Sequence, residues 1–259
     1  MTNSRRSKLA LLLSGFAAAA LSGCFFETGP RDPAPTPSPT PSPTATAPAP
    51  TTIAFDFANG AEGFTAQIAD FQDGFEPIME FESGLQEAPD VAEPGFFLKS
   101  MNRSDDAFMY LFARIDNLKP NQNYRVEATV RFATNIPPGC SGIGGSPGDS
   151  VYIQVGAAES EPMRVVVEGV VRPDFDHGNQ SQDGEEGVVI GTFAQTEETG
   201  TTCSDDPYSV KELSTGDKEL VVTADAEGRL WPFVGTDSAF EGLTRIYWLD
   251  GSFTLTETD

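Results

Sequence analysis

The sequence predicts an all-β fold, a jelly roll or a related β-sandwich of two packed antiparallel sheets. From Ile53 onward it contains no convincing amphipathic helix of ordinary length, and short alternating or apolar segments are separated by Gly, Pro, Asn and Asp. The clearest strand is Tyr124–Phe132, where apolar residues alternate with Arg, Glu and Thr. One face of that strand is therefore expected to be buried and the other to contact water.

The same pattern predicts further strands along the chain. One of them, Phe108–Ile115, is apolar on both faces, which is typical of a strand at the centre of a sandwich or of one that carries aromatic rings on a solvent-facing concave sheet. The other predicted strands are Ile53–Phe57, Phe96–Ser100, Val151–Ala157, Arg164–Val171, Val188–Phe193, Glu219–Ala224, Leu230–Gly235, Arg245–Leu249 and Ser252–Thr256.

The amino terminus has the order of a secretory signal. Basic residues (Arg5, Arg6 and Lys8) precede an apolar run, Leu9–Leu21, which is too short to span a bilayer comfortably as a permanent helix. The residues that follow, Leu-Ser-Gly-Cys, resemble the lipobox of bacterial lipoproteins. An ordinary signal peptide with an incidental cysteine is the alternative.

The lipobox resemblance implies a processing site and a cellular localisation. Residues 1–23 would be removed as a signal peptide, and Cys24 would carry a diacylglyceryl group and an acylated amino terminus, for example with palmitate. Acyl chains would then anchor the chain without a transmembrane helix. Phe25 stands where the inner-membrane retention signal of such proteins is an aspartate, so the outer membrane is expected in a cell with two membranes.

A spacer follows the cysteine. Residues 24–52 are rich in Pro, Ser, Thr and Ala, a composition that lacks the apolar groups for a core and favours extended polyproline II conformations. The sequence therefore predicts a signal peptide at 1–23, a lipidated cysteine and linker at 24–52, and one β-sandwich domain at 53–259.

The net charge limits the choice of partners. The formal charge is −23, and removal of residues 1–23, which contain three basic residues and no acid, would make it −26. Such a surface repels nucleic-acid backbones, so no nucleic-acid partner is predicted. The acids indicate either a solvated, self-repelling surface or carboxylates gathered around divalent cations such as calcium.

Two cysteines remain after Cys24. Cys140 and Cys203 lie in loop-like surroundings, and an extracytoplasmic compartment permits a disulfide between them. A disulfide is favoured here, and two free thiols are the alternative. The segment Gly139–Gly148 lacks the lysine and helix of a phosphate-binding loop, so its glycines are expected to form tight turns, with the backbone amides as a weaker candidate for a polar ligand.

The order of segments adds two resemblances. The segments FDFANGAEGFTAQ, LKPNQNYRVEATVRF and IYWLDGSFTLT resemble carbohydrate-binding modules and galactose-binding-like jelly rolls. The blocks GAEGFTAQIADF, GCSGIGGSPGDSVYIQVGA, DHGNQSQDG and VGTDSAFEG resemble a family of uncharacterised bacterial secreted proteins and lipoproteins. Together these resemblances imply a jelly roll outside the cytoplasm and supply no chemistry.

Sugar binding needs an aromatic platform and polar groups that hydrogen-bond to hydroxyls. The candidates for ligand contact are Tyr110, Trp231, Trp248, His177 and Asn179. Aromatic residues in sheets are more often core residues or cross-strand pairs. His177 is the only histidine, so a typical zinc site cannot be built, and a solvated loop histidine is its alternative role.

Oxygen-rich loops are the candidates for calcium. Asp105 and Asp106 precede a predicted strand, and Asp237 and Glu241 follow one. Capping turns are the alternative role of these residues. The jelly-roll resemblance implies a further calcium near the paired termini, at Asp56 and Asp250.

These observations predict a membrane-anchored extracytoplasmic lipoprotein whose β-sandwich binds a ligand, with a glycan or an envelope protein as partner and with calcium as the candidate cofactor. No catalysis is expected. The alternatives are a carbohydrate-active hydrolase or lyase that uses acidic residues, and a structural envelope protein.

Overall fold

The computed structural model describes residues 29, 49–196, 203 and 206–259. The predicted signal peptide, Cys24 and most of the linker lie outside the described residues. No helix within the described ranges is long and apolar enough to cross a membrane.

The described chain is built almost entirely of strands. In chain order these are β1 (Thr51–Asp56), β2 (Thr65–Ala69), β3 (Phe71–Gln72), β4 (Glu82–Glu87), β5 (Pro94–Met101), β6 (Phe108–Phe112), β7 (Asn123–Thr134), β8 (Val151–Ala158), β9 (Arg164–Val167), β10 (Val170–Pro173), β11 (Gly178–Asn179), β12 (Gln182–Asp183), β13 (Gly187–Thr192), β14 (Ser209–Ser214), β15 (Val221–Thr223), β16 (Trp231–Ser238) and β17 (Leu243–Thr258). One four-residue helix, α1 (Glu76–Met79), and a 3₁₀ turn at Phe57–Asn59 complete the set.

The seven strands of the large sheet are organised around β17 and β7. These two strands pair antiparallel along most of their length, with a register shift between Trp248 and Asp250. The other edge of β17 pairs first with β5 and then with β1, and the other edge of β7 pairs with β14 and β15. Strand β4 adds to β5 at the edge. Two long strands therefore hold the shorter ones in one sheet.

The small sheet has five antiparallel strands in the order β13-β8-β16-β6-β2. The main apolar core contains residues of both sheets, so the two sheets form a β-sandwich and the predicted fold class is confirmed. The alternation predicted for Tyr124–Phe132 is also confirmed, since its five apolar residues are buried and its polar residues are half-buried.

Several strand predictions need correction. The segment predicted as one strand at Arg164–Val171 is a hairpin, because Glu168 and Gly169 adopt positive φ angles of 53° and 81° and form a turn. The two strands predicted at Arg245–Leu249 and Ser252–Thr256 are one strand, β17, which continues past an irregularity. Strands β2, β4 and β14 were not predicted, since most of their residues are not buried and their apolar pattern is weak.

Residues 159–187, named the cover here, include the hairpins β9–β10 and β11–β12. Strand β10 pairs with β3, which follows β2 of the small sheet. The cover packs on the face of the small sheet that points away from the core, where Phe175 is 4.9 Å from Phe233 and 5.6 Å from Tyr110 between ring centroids. The aromatic outer face of the small sheet is therefore closed to solvent.

Candidate functional site

Many of the predicted ligand residues lie on the outer face of the small sheet. Phe108, Tyr110 and Phe112 of β6 lie on this face, with Trp231 and Phe233 of β16 beside them. Tyr110 is fully buried and donates a hydrogen bond to Gln67 Oε1, and Trp231 is 4% exposed. The β6 strand is thus apolar on both faces because both faces are covered, and neither ring is open to a ligand.

His177 belongs to the cover, and its side chain packs on this face. The residue after it, Gly178, has a φ of 98°, and a Cβ there would lie 2.1 Å from the carbonyl oxygen of Gln182, so the β11–β12 hairpin requires glycine. The hairpin directs the imidazole onto Phe108, and the two rings stack at 3.8 Å with 4° between their planes. The only histidine of the chain is therefore buried, not a solvated loop residue.

Each ring nitrogen of His177 has a hydrogen-bond partner. Nε2 lies 2.8 Å from Asp70 Oδ2, and Nδ1 lies 2.8 Å from Gln154 Oε1. The amide nitrogen of Gln154 donates to Asp237 Oδ2 and to the carbonyl of Gln180, so Oε1 is the acceptor. The buried imidazole is therefore held at both of its nitrogens, by Asp70 and by Gln154.

Asp106 and Asp237 form a second pair next to this histidine. Burial raises the pKa of Asp106 to about 6, and burial together with the neighbouring carboxyl of Asp106 raises the pKa of Asp237 well above its usual range. With both pKa values raised, the pair holds a proton more readily than two solvent-exposed aspartates would.

The predicted calcium ligands do not form one cluster: Asp106 lies beside Asp237, and Asp56 lies opposite Asp250 across β1 and β17. The described residues contain no group of three or more His, Cys, Asp or Glu side chains that could hold a metal ion. Asp105 is exposed at a left-handed turn, and Glu241 is exposed on another loop. Asp56 caps the 3₁₀ turn through Ala58 N, and Asp250 is ion-paired with Arg131. Calcium therefore stays a prediction.

A polar cleft of about 390 Å³ borders the cover beside Asp70. The acidic side chains that line this cleft accept hydrogen bonds from other groups of the protein. Asp174 accepts from the backbone of Met163, and Asp176 accepts from the backbones of Gly178 and Glu185. The cleft is therefore lined by groups that hold the cover in place.

A larger cavity, of about 620 Å³, lies where β5, β7, β14 and β17 meet the Gly139–Gly148 loop. We name it the end cavity and define it by six of its lining residues: Lys99, Asn135, Ser141, Tyr208, Phe240 and Arg245. Its volume falls in the range of about 300 to 1,000 Å³ that is usual for small-molecule sites. Cys203 also lines it, and the predicted disulfide between Cys140 and Cys203 is confirmed.

The glycine-rich loop shapes one wall of the end cavity. A Cβ on Gly142 would lie 2.3 Å from the ring of Phe240, and one on Gly242 would lie 2.2 Å from the same ring. The backbone amides of Gly139, Ser146 and Gly148 bond to side chains of Asp149, Ser150 and Ser146. The loop therefore uses these amides internally, and its glycines let it pack against an aromatic ring.

Arg245 is the distinctive charge of the end cavity. Its guanidinium carbon lies 6.0 Å from the centre of the Phe97 ring, and within the described ranges it forms no ion pair. Its buried Nε atom has no hydrogen-bond partner there. Lys99, by contrast, is paired with Glu82 at 2.8 Å. Burial raises the pKa of Tyr208 to about 12, so its phenol remains a neutral donor.

The predicted ligand residues do not line this cavity. Trp248 is fully buried in the core between the sheets, so it offers no surface to a ligand. Asn179 is exposed on the β11–β12 hairpin, with its amide 3.5 Å from Asp106. Sequence reasoning did not single out Arg245, Lys99 and Tyr208. A cationic residue that alternates with Tyr247 in a strand of a strongly acidic chain is the signal that could have pointed to Arg245.

No protein-family model and no curated protein matches this sequence. Among solved structures, it is similar to the enzymatically active domain of bacteriophage CBA120 tailspike protein 4, at 11% identity and a TM-score of 0.33, covering 76% of this chain and 20% of that one. It is also similar to a carbohydrate-binding module that recognises mannan, TmCBM27, at 9% identity and a TM-score of 0.38, covering 82% and 100%.

A third similar structure is the xylan-binding CBM22-1 domain of Xyn10C from Paenibacillus barcinonensis, at 10% identity and a TM-score of 0.37, covering 83% of this chain and 100% of that domain. All these TM-scores are below 0.5 and all the identities are below 25%. The function proposed for this chain therefore rests on its own residues.

Proposed function

We propose that the protein is a lipid-anchored extracytoplasmic protein whose β-sandwich binds a glycan in the end cavity. One observation carries the binding proposal. Within the described residues, the side chains of Asn135 and Ser141 form no hydrogen bond to the protein and the buried Nε of Arg245 has no acceptor, and all three residues line the cavity with Tyr208 and Phe240. A sugar presents an apolar C–H face and a rim of hydroxyls, and this set of groups complements both.

The proposal prefers the end cavity to the outer face of the small sheet for a physical reason. The rings of that outer face are buried under the cover, and its polar atoms bond largely to one another. A ligand there would have to displace the cover and break the bonds of His177. In the end cavity it would instead satisfy groups that the chain leaves unpaired.

The binding proposal is tested with the whole mature protein, solubilised in detergent, on an oligosaccharide array, followed by calorimetry of the glycans that bind. Ser141→Trp is the blocking variant, because Ser141 is exposed at the wall of the cavity. Ser160→Trp is its control, since Ser160 is exposed on the cover and does not line the cavity.

Loss of binding in Ser141→Trp alone supports the proposal. Equal binding by both variants, or no glycan bound by the wild type, contradicts it, and the second result favours an envelope protein as the partner.

The anchor proposal is supported by the order of basic residues, apolar run and Leu-Ser-Gly-Cys at the amino terminus. Cys24→Ser should move the protein from the membrane fraction to the soluble fraction, because its amino terminus would carry no acyl chains. The intact mass of the native protein should lack residues 1–23 and include the lipid. A native protein that retains those residues would overturn the anchor.

A further inference from the structure

We infer that the end cavity takes an acidic sugar, one that bears a carboxylate such as a uronic acid, and that Arg245 binds this carboxylate. The inference deepens the proposed glycan binding and rests on it. It begins from the charge balance of the chain, which carries a formal charge of −23 and has 39 acids for 16 Lys and Arg residues. In such a chain a partly buried arginine has many potential partners.

Arg245 nevertheless makes no ion pair or hydrogen bond within the described residues, although its charge contributes to lowering the pKa of Glu82, the partner of Lys99. The other arginines of the large sheet show the usual behaviour: Arg125 pairs with Glu127, and Arg131 pairs with Glu93 and Asp250. Arg245 instead packs its guanidinium over the Phe97 ring and has no ion pair, and its buried Nε, like that of Arg125, has no acceptor. A buried donor without a partner lowers stability, so the atom is suited to an acceptor that arrives with a ligand.

A carboxylate matches this position better than a hydroxyl. The guanidinium is a planar fork that binds a carboxylate through two parallel hydrogen bonds, and such charge-assisted bonds are about twice as strong as neutral ones. The nearby Lys99 adds positive charge, although Glu82 partly neutralises it. The neutral phenol of Tyr208 and the amide of Asn135 supply further partners for the sugar.

The acidity of the rest of the chain does not prevent this interaction. At physiological ionic strength, charges more than about 8 Å apart in solvent are largely screened. Acids beyond that distance therefore weaken the attraction little, and Glu82, which pairs with Lys99, is the nearby acid that opposes it. The half-buried Phe240 ring in the cavity wall also keeps part of the contact out of water, where screening is weaker.

The test compares a uronic-acid trisaccharide with its carboxyl-reduced neutral counterpart by calorimetry on the whole mature protein in detergent. The wild type should bind the acidic form more tightly. Arg245→Gln should weaken binding of the acidic form by roughly 10- to 100-fold, the loss typical of a hydrogen-bonded charged group. It should change binding of the neutral form little. Arg245→Lys should retain only part of the preference, because it keeps the charge and loses the fork.

The matched control is Arg164→Gln, because Arg164 is exposed on the cover and also lacks an ion pair in the described part of the chain. Ser141→Trp should abolish binding of both forms without touching the charge. Equal binding of the acidic form by Arg245→Gln and the wild type would overturn the inference. A wild type that binds only neutral sugars in the cavity would also overturn it and leave the proposed function standing, whereas no binding of either sugar would overturn both.

Discussion

The cover and the end cavity differ in what their polar side chains bond to. In the cluster beneath the cover, His177, Asp70, Gln154 and Asp237 bond to one another or to the backbone of Gln180. In the end cavity, Arg245 has no such partner within the described ranges. In the part of the chain that the structure describes, the buried atoms that lack a hydrogen-bond partner are carboxyl oxygens in the first region, on Asp70, Asp106 and Asp237, and a cationic donor, Arg245 Nε, in the second. The first region is thus a largely self-bonded network with perturbed pKa values, and the second offers a donor to a ligand.

The comparison also separates two uses of aromatic residues. On the outer face of the small sheet the rings are closed in by Phe175 and by the stacked imidazole of His177. In the end cavity Phe240 and Tyr208 remain half-buried. Rings that already have stable neighbours act as a core, and rings at the wall of a cavity remain available to a ligand.

The largest effect is expected from removing the disulfide, which fastens the end-cavity side of the molecule. The bridge joins residues 63 positions apart. The double variant Cys140→Ala/Cys203→Ala should lower the free energy of unfolding by about 4 kcal/mol in the chain-entropy model. Urea denaturation measures this loss.

Hydrogen exchange in the same variant sharpens the comparison. Protection should fall in the Gly139–Gly148 loop and stay unchanged in the β11–β12 hairpin, because the cover has its own network of hydrogen bonds. A uniform loss across both regions would show that they are not independent.

The second prediction concerns His177. Its replacement by Ala should lower the free energy of unfolding by about 3 kcal/mol, because Asp70 and Gln154 would each keep a buried acceptor without a donor. The cover should also loosen and admit a hydrophobic dye to the rings of the outer face. Asn179→Ala is the control two residues away, since Asn179 is exposed. Similar losses in both variants would contradict the role of the network.

The fold could be predicted from sequence where one physical signal dominates. Strand β7 alternates strictly because one of its faces lies on the core, and the apolar strand β6 is buried on both faces. The β9–β10 hairpin was missed, and one strand was predicted at Arg164–Val171, because the segment is apolar on either side of Glu168 and only the left-handed φ angles of Glu168 and Gly169 interrupt it. Turn geometry is a local property that an apolar pattern does not encode.

The candidate site could be predicted only in part. His177, Asp106 and Asp237 were singled out, and the structure brings them together in one cluster. The role of Arg245 depends on the absence of a partner among residues far apart in the chain. No spacing in the sequence records such an absence, since it results from how the large sheet and the glycine-rich loop meet.

The third prediction concerns the pH dependence of the Asp106–Asp237 pair. Because burial raises the pKa of Asp106 from an ordinary value of 3.8 to about 6, the native chain binds more protons than the unfolded chain between these values. The contribution of the pair to stability is therefore fully present below pH 3.8 and is lost as the pH rises through about 6. Measured stability also contains opposing terms from acids with lowered pKa, such as Asp183.

The variant Asp106→Asn isolates the contribution of this pair to the free energy of unfolding. The amide can donate to Asp237 without a shared proton, so the variant should be about 1 kcal/mol more stable than the wild type at pH 8, and this advantage should vanish near pH 4. Thermal or urea unfolding at both pH values measures the difference. The control is Asp105→Asn at the exposed neighbouring position, which should show no such pH-dependent advantage. Parallel pH profiles of stability for the wild type and Asp106→Asn would contradict the role proposed for the proton on the Asp106–Asp237 pair.

The smallest effect on stability is expected at Arg245, and it distinguishes a ligand residue from a structural one. Arg245→Gln gives up no ion pair within the described residues, only a contact with the Phe97 ring, so the free energy of unfolding should change by less than about 0.5 kcal/mol. Arg131→Gln in the same sheet should cost about 1 kcal/mol, since it leaves Glu93 and Asp250 without their cation. Urea unfolding of both variants tests the contrast. A residue that the native chain leaves unpaired should contribute little to stability until its ligand is bound. A larger loss of stability in Arg245→Gln than in Arg131→Gln would therefore show that Arg245 supports the fold.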